Sequence, residues 1–226
     1  DELIATQPAA TNGVVCSTSG GCLPIPASPH DDVHRGCAGL MENGLAFARS
    51  EPGLRTVVIA SHWNQYLAKG FGLRGTFAYG SADYRAALHR LGAYIEDVRR
   101  LDKRVCVVLN IPIGPEQDPR YMARRSLATF PHVLSIRPGG LARASLEQAF
   151  GGIQADLKRT AESAGARTIQ PFDYVCDAER CPAVDDTGRP MYKDGTHLRP
   201  TYVRTHAVFI DGALHERTLT GADGSP

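Results

Sequence analysis

The chain has 226 residues, 42% of them hydrophobic and 22% charged, with a formal net charge of +1, and this is the composition of one ordinary globular domain. No basic or aromatic stripe favours a nucleic-acid partner, and no apolar run approaches the ~20 residues that a membrane-spanning helix needs. The chain begins at Asp1 without an initiator methionine, so we expect it to be processed or trimmed from a longer protein.

The first half of the chain predicts apolar strands separated by helices. Residues 13–16 form a short strand-like run, and residues 38–49 have the pattern of a helix. Thr56–Ala60 is apolar and rich in β-branched residues, which is typical of a strand buried on both faces. A loop follows it. Residues 83–101 then predict an amphipathic helix with Asp83 as its N-cap.

The second half continues this alternation. Residues 105–113 predict the next buried strand, and the proline after Asp118 predicts a short helix. Residues 132–136 predict a further strand, and a long helix ends at Gly165 before the last strand at residues 167–175. Strands alternating with helices favour a three-layer α/β/α fold with a parallel sheet, in one domain that takes in the whole chain.

The six cysteines divide into two classes. Cys22 and Cys37 bracket a proline-rich segment, and Cys176 and Cys181 flank a short polar turn. These pairs predict two disulfides and an oxidising compartment. A zinc site is the alternative, but the spacings do not match the short paired knuckles of structural zinc sites. The other two cysteines lie in apolar strand-like runs and are predicted to be buried free thiols: Cys16 and Cys106.

An acid and a histidine, three residues apart, are the main candidates for chemistry. Asp194 and His197 lie on a glycine-containing turn before a final helix. In a hydrolytic triad the imidazole accepts a proton from the nucleophile, and the carboxylate holds its tautomer. Taken alone, the pair is better explained as a turn and a packing histidine, because chance gives about 0.5 such matches in a chain of this composition.

A second Asp-x-x-His match occurs at Asp31 and His34. With His30 and Asp32 it could be imagined as a metal cluster, but no neighbouring strand or helix would hold the ligands rigidly. We therefore predict a solvated loop here, and we predict no metal site in the chain.

Four features, taken together and in order, resemble a known family. In chain order they are a Cys-x-Pro segment at Cys22 with a second cysteine after it, an apolar strand leading into Trp63-Asn-Gln-Tyr66, a Cys-x4-Cys loop at Cys176 and Cys181, and an Asp-x-x-His-Leu turn at Asp194 and His197. The chain resembles an SGNH (GDSL-type) hydrolase domain. It is most similar to the extracytoplasmic SGNH domains fused to membrane acyltransferases that O-acetylate bacterial surface polysaccharides, lipopolysaccharide among them.

The resemblance implies a flavodoxin-like parallel sheet and assigns roles to particular residues. Asp194 and His197 would be the acid and base of a Ser-His-Asp triad. Asn64 would help to form the oxyanion hole, because it falls where many members carry Gly-x-Asn-Asp. Here His62 replaces the glycine and Gln65 the second acid. No metal or organic cofactor is implied.

The resemblance fails at the family's nucleophile. The nucleophile lies in a Gly-Asp-Ser-His block at the end of the first strand, and no Gly-Asp-Ser occurs in the 226 residues. We expect the first strand and its serine to lie upstream of Asp1, which would leave this chain alone inactive. Ser17 and Ser19 are substitutes in principle, but their position after the second strand does not fit the family.

The function that the resemblance implies is acyl, in particular acetyl, transfer to a sugar hydroxyl of a cell-surface polysaccharide. The expected partners are an acylated donor, a glycan acceptor and a covalently fused or adjacent membrane acyltransferase domain. The expected location is periplasmic, tethered to the inner membrane. The alternatives are a secreted carbohydrate O-acyl esterase and a non-catalytic module that binds polysaccharide.

Overall fold

A computed structural model describes residues 13–18, 20–28, 37, 39–69, 75–125, 133–136 and 139–214. The loop cluster at residues 30–34, Ser19 and His132 lie outside these ranges. The helices are α1 Leu40–Ser50, α2 Trp63–Leu67, α3 Ala82–Arg99, α4 Pro119–Met122, α5 Arg143–Ser163, α6 Phe172–Val175, α7 Pro200–His206 and α8 Asp211–Leu214. The strands are β1 Thr56–Ala60, β2 Arg104–Val108, β3 Ala123–Arg125, β4 Val133–Ile136, β5 Gly140–Ala142, β6 Arg167–Ile169 and β7 Arg180–Pro182.

A parallel sheet in the order β1-β2-β6 is the centre of the fold. Within the described ranges β1 pairs with β2 alone, and Val58 is 40% exposed, although Ile59 is buried. The prediction that β1 is buried on both faces is therefore wrong, because an edge strand leaves part of its surface uncovered. Two antiparallel ribbons, β3-β4 and β5-β7, lie outside this sheet.

Helices cover both faces of the sheet. Val107 of β2 belongs to a buried cluster with Leu91 of α3 and Leu157 of α5. The next residue, Val108, belongs to a second buried cluster with Tyr202 of α7. Because successive side chains of a strand point to opposite faces, these two clusters are the two sides of one sheet. The three-layer α/β/α arrangement predicted from the sequence is confirmed.

Several element boundaries differ from the sequence predictions. The N-cap of α3 is Ser81 and not Asp83, because the extended Ser81 directs its Oγ to accept from the Tyr84 N–H at 3.1 Å. The predicted strand at residues 167–175 ends at Ile169, and Pro171 then starts the helical turn α6. The predicted loop after β1 contains the short helix α2.

The cysteines adopt both predicted states. Disulfides join Cys22 to Cys37 and Cys176 to Cys181, so all four candidate zinc ligands are used in covalent pairs. Cys106 is a buried free thiol in β2, whereas Cys16 is free and exposed. The prediction for Cys16 is wrong because residues 13–18 have no regular structure, and Val15 beside it is 68% exposed. Among the described helices, none has both the length and the apolar character of a membrane span.

Candidate active site

The candidate acid and base lie on a tight turn, residues 193–197, which we call the dyad turn. A β-bridge between Tyr192 and Leu198 closes it, and the Arg199 N–H donates to the Met191 carbonyl at 2.8 Å. Met191 and Tyr192 are buried in the second cluster. The turn is therefore anchored by buried apolar residues on its N-terminal side, and backbone hydrogen bonds hold its two ends together.

Asp194 organises the turn. Its Oδ1 accepts from the Thr196 N–H at 2.9 Å, from the Thr196 hydroxyl at 2.9 Å and from the His197 N–H at 3.0 Å. Partial burial acts to raise the pKa of this carboxyl, but the hydrogen bonds from Thr196 and His197 outweigh it and lower the pKa well below its usual range. Asp194 is therefore ionised at neutral pH.

His197 lies against this carboxylate. Its Nδ1 is 2.9 Å from Asp194 Oδ1 and 3.0 Å from Oδ2. Because a carboxylate only accepts, Nδ1 carries the proton, and Nε2 of the neutral ring is left as a proton acceptor. The His197 side chain is 71% exposed, so Nε2 can be approached from outside. This is the orientation that a general base in a triad requires.

The loop after β2 contacts the dyad turn directly. The Gly114 N–H donates to the Gly195 carbonyl at 3.0 Å. A Cβ on Gly195 would lie 2.8 Å from the Gly114 carbonyl oxygen, closer than side-chain carbons approach backbone. Gly195 therefore permits the close contact that joins the dyad turn to the carboxyl end of the sheet.

Asn64 lies at the carboxyl end of the neighbouring strand. It belongs to α2, which the Trp63 indole fastens to β2 by donating to the Val108 carbonyl at 2.8 Å. The Asn64 backbone N–H is 3.5 Å from the side-chain Oδ1 of Asn110, which follows β2. Asn64 and Asn110 are only 1% and 2% exposed. Parallel strands thus bring together two buried carboxamides that are far apart in the chain.

Most polar atoms of these two carboxamide groups lack hydrogen-bond partners in the described structure. Both side-chain polar atoms of Asn64 and the Nδ2 of Asn110 are buried without a hydrogen bond in the described structure. An unsatisfied buried polar atom costs about 1–3 kcal/mol, so native proteins keep few of them. Such groups are expected where a ligand or a reacting group supplies the missing partner.

His62 is the third member of this group, which we call the strand-end cluster: His62, Asn64 and Asn110. His62 Nδ1 lies 2.9 Å from Gln65 Oε1, which only accepts, so Nδ1 is protonated and the buried, unpartnered Nε2 is an acceptor. Burial lowers the pKa of His62, its hydrogen bond to Gln65 opposes this, and the charges of His197 and Asp194 also act on it. Because Asn110 and Gly114 both follow β2 and Gly114 contacts Gly195, the strand-end cluster lies at the same edge of the sheet as the dyad turn.

The structure brings Asp194, His197 and the Asn64 region to one edge of the sheet. Of the two substitute serines, Ser17 lies in the irregular segment 13–18, outside every described strand, and Ser19 lies outside the described residues. Within the described ranges no three His, Cys, Asp or Glu side chains form a potential metal site. Sequence reasoning missed Asn110 because the predicted strand at residues 105–113 runs through it, whereas the observed strand β2 ends at Val108; a polar residue inside an apolar run was the available signal.

The family of the chain is shown by comparison with known proteins. The family model for the SGNH domain (fused to AT3 domains) matches residues 2–209 of the sequence. The chain belongs to this family. No curated protein matches the chain. At the level of the family, an SGNH domain fused to AT3 acyltransferase domains indicates acyl transfer.

Proposed function

We propose that this SGNH domain transfers an acyl group, in particular an acetyl group, to a sugar hydroxyl of a cell-surface polysaccharide through a Ser-His-Asp mechanism. The observation that supports it most directly is the contact of His197 Nδ1 with both oxygens of Asp194. It fixes the tautomer in which Nε2 accepts a proton, which is the task of the base in acyl transfer.

The proposed reaction has two halves. The serine Oγ attacks the acyl carbonyl of the donor while His197 Nε2 takes the serine proton, and collapse of the tetrahedral intermediate passes that proton to the leaving group. His197 then takes the proton of the sugar hydroxyl as its oxygen attacks the acyl-serine, and returns that proton to the serine Oγ as the bond between Oγ and the acyl carbon breaks. Asp194 stabilises the imidazolium in both halves, and the unpartnered amide of Asn64 donates to the oxyanion.

The nucleophile is part of the proposal. No Gly-Asp-Ser block occurs among the 226 residues, although the family match begins at residue 2. We propose that the intact protein carries this block before Asp1, and we call that longer polypeptide the serine-bearing protein. The fused AT3 domain would supply the acyl group and tether the domain to the inner membrane.

A periplasmic location is consistent with the disulfides. Cys22–Cys37 and Cys176–Cys181 require an oxidising compartment to form and persist. Surface polysaccharides and their acyl groups are accessible on that side of the membrane. The disulfides and the AT3 fusion therefore favour the same side.

One observation favours a second candidate function, the O-acyl esterase. His197 is 71% exposed, and a base in contact with bulk water can activate water in place of a sugar hydroxyl. The two functions share the acyl-serine and differ only in the acceptor. A non-catalytic polysaccharide-binding module is the outcome if the intact gene has no Gly-Asp-Ser block.

The test compares this chain, the serine-bearing protein and its His197→Ala variant with p-nitrophenyl acetate, with and without polysaccharide. We expect hydrolysis by the serine-bearing protein, a loss of about 10³-fold or more in His197→Ala, and acetylated polysaccharide when the glycan is present. His89→Ala, in an exposed histidine of α3, is the control. An inactive serine-bearing protein rejects the proposal, and hydrolysis that never acetylates the glycan assigns the esterase.

A further inference from the structure

A cavity of about 580 Å³ lies between the turn at residues 185–189 and the segment 199–206, which includes α7. Its ten lining residues, drawn from positions 185–206, are three arginines, three threonines, two aspartates, a tyrosine and a histidine. We call it the arginine cavity. Ligand cavities in proteins are usually lined mainly by apolar side chains, so a lining in which every side chain carries a polar group selects against an apolar ligand.

Two consecutive turns connect the arginine cavity to the candidate catalytic residues. The first turn is closed by a β-bridge between Val184 and Pro190 and lines the cavity, and the second is the dyad turn. Arg199 lines the cavity and follows His197 by two residues. The two turns lie at opposite ends of residues 190–192, so a glycan that occupies the cavity and also reaches His197 must extend along this short segment.

The chemistry of the lining fits a sugar. The rings of Tyr202 and His206 stack with centroids 4.5 Å apart and an interplanar angle of 3°, giving a flat aromatic element in the wall. Hydroxyl groups and carboxylates beside it can exchange hydrogen bonds with a polyhydroxylated ring. The same groups would leave an apolar acyl chain without matching contacts.

Three arginines against two aspartates leave the lining with a net positive charge, which favours an anionic sugar. Asp185 is already engaged, since its Oδ1 accepts from the Thr187 and Arg189 N–H groups at 3.0 and 2.8 Å. Arg199 Nε, in contrast, is buried without a hydrogen-bond partner in the described structure. A guanidinium nitrogen sheltered from water is costly unless an acceptor satisfies it, and a carboxylate or phosphate accepts from it most strongly.

A second cavity shows that this lining is not a general property of the surface. It has a volume of about 700 Å³, lies between α3 and α5, and includes Leu88, Ala93 and Ala164 in its wall. One of its charged residues, Arg159, is paired with another, Asp156, at 3.0 Å. The second cavity therefore offers a matched site for control substitutions.

We propose that the arginine cavity binds an anionic sugar residue of the glycan acceptor, whose neighbouring sugars extend along residues 190–192 toward Asp194 and His197. This inference rests on the proposed function, whose acceptor class it names. It does not depend on the nucleophile, because binding of the acceptor requires only the cavity.

The test is isothermal titration calorimetry of this chain with trigalacturonic acid and with its methyl ester, which has the same ring and no charge. We expect the acid to bind and the ester to bind at least about 10-fold more weakly, since a charge-assisted hydrogen bond contributes about 1.5–3 kcal/mol. Raising the salt from about 0.05 M to about 0.5 M should weaken binding of the acid.

Variants locate the site. Arg189→Gln and Arg199→Gln should each weaken binding of the acid about 10-fold, and Arg159→Gln in the second cavity should change it less than about 2-fold. Arg189 is exposed, so Arg189→Gln should fold and can test the inference even if Arg199→Gln does not fold. Equal affinity for acid and ester, no binding of either, or insensitivity to Arg189→Gln would overturn the inference.

The two proposals can fail separately. Acetylation of a glycan by the serine-bearing protein, together with equal binding of acid and ester, would reject only the anionic acceptor. Selective binding of the acid by this chain, together with an inactive serine-bearing protein, would reject acyl transfer and leave an anionic glycan-binding module.

Discussion

The dyad turn and the strand-end cluster lie side by side, yet they differ in how their polar groups are satisfied. In the dyad turn, Asp194 Oδ1 accepts from the backbone N–H groups and side chains of both Thr196 and His197, and Oδ2 also lies 3.0 Å from His197 Nδ1. In the strand-end cluster, polar atoms of His62, Asn64 and Asn110 are buried without partners in the described structure.

The dyad turn is therefore a preorganised unit, whereas the strand-end cluster is an incomplete one. Residues within the dyad turn supply the hydrogen bonds to Asp194, and buried residues beside the turn anchor it to the sheet. The strand-end cluster is assembled from two strands and retains a free-energy cost. Unsatisfied groups beside a complete acid–base pair are expected where a nucleophile and a substrate oxygen complete the site. Substitutions in the two regions should therefore have opposite effects on stability.

The largest effect is expected from Asp194→Asn in the serine-bearing protein. Asparagine cannot hold the protonated Nδ1 of His197 in the same way or stabilise an imidazolium, so kcat for p-nitrophenyl acetate should fall about 10⁴-fold. Asp31→Asn, in the other Asp-x-x-His match, is the control and should leave kcat unchanged. Comparable losses in the two variants would contradict the assignment of the dyad.

Asn64→Leu should lower activity and raise stability. Removal of an amide donor to the oxyanion should lower kcat about 100-fold, whereas removal of unsatisfied buried atoms should raise the free energy of unfolding by about 1 kcal/mol. Urea denaturation of this chain and kinetics of the serine-bearing protein measure the two quantities.

The matched control for this variant is Gln154→Leu. Gln154 is also buried, but its Oε1 accepts from the Gln170 amide at 2.7 Å. Its replacement should lower stability and leave kcat unchanged. If Asn64→Leu behaves in the same way, the unpartnered amide has no role in the reaction.

A smaller effect is expected from Thr196→Val, which removes one donor from Asp194 and retains the others. The loss of one hydrogen bond of about 1 kcal/mol predicts a fall in kcat of about 5-fold and a similar loss of stability. Thr196→Ser keeps the hydroxyl and should retain activity close to that of the parent. A serine variant as impaired as the valine variant would show that the methyl group, and not the hydrogen bond, matters.

The smallest effect concerns pH. Burial lowers the pKa of His62 in the folded state, so the unfolded chain binds the proton more readily. The stability linked to this group is fully present above the unfolded pKa of about 6.5 and is lost as the pH falls below it. Urea midpoints between about pH 7 and pH 5 should therefore fall less in His62→Gln than in the parent chain.

His89→Gln, in the exposed histidine of α3, is the control for the pH experiment. It should retain the pH dependence of the parent. A His62→Gln variant with that same dependence would show that the proton equilibrium of His62 is not coupled to folding.

Much of the fold could be predicted from local patterns. The apolar stripes of α3 and α5, the β-branched run of β1 and the cysteine spacings all reflect contacts or periodicities within short segments. The failures have a common cause. Cys16 is exposed and β1 lies at an edge, because exposure depends on which distant segment covers a strand.

The sequence by itself determined the alternation of strands and helices, and it placed Asp194 and His197 within reach of each other, because both features depend on neighbours a few residues away. Only the tertiary structure decided that Asn110 meets Asn64, 46 positions apart, and that a polar cavity opens between the turn at residues 185–189 and α7. These features depend on the register of parallel strands and on the packing of separate turns, and no local spacing encodes either.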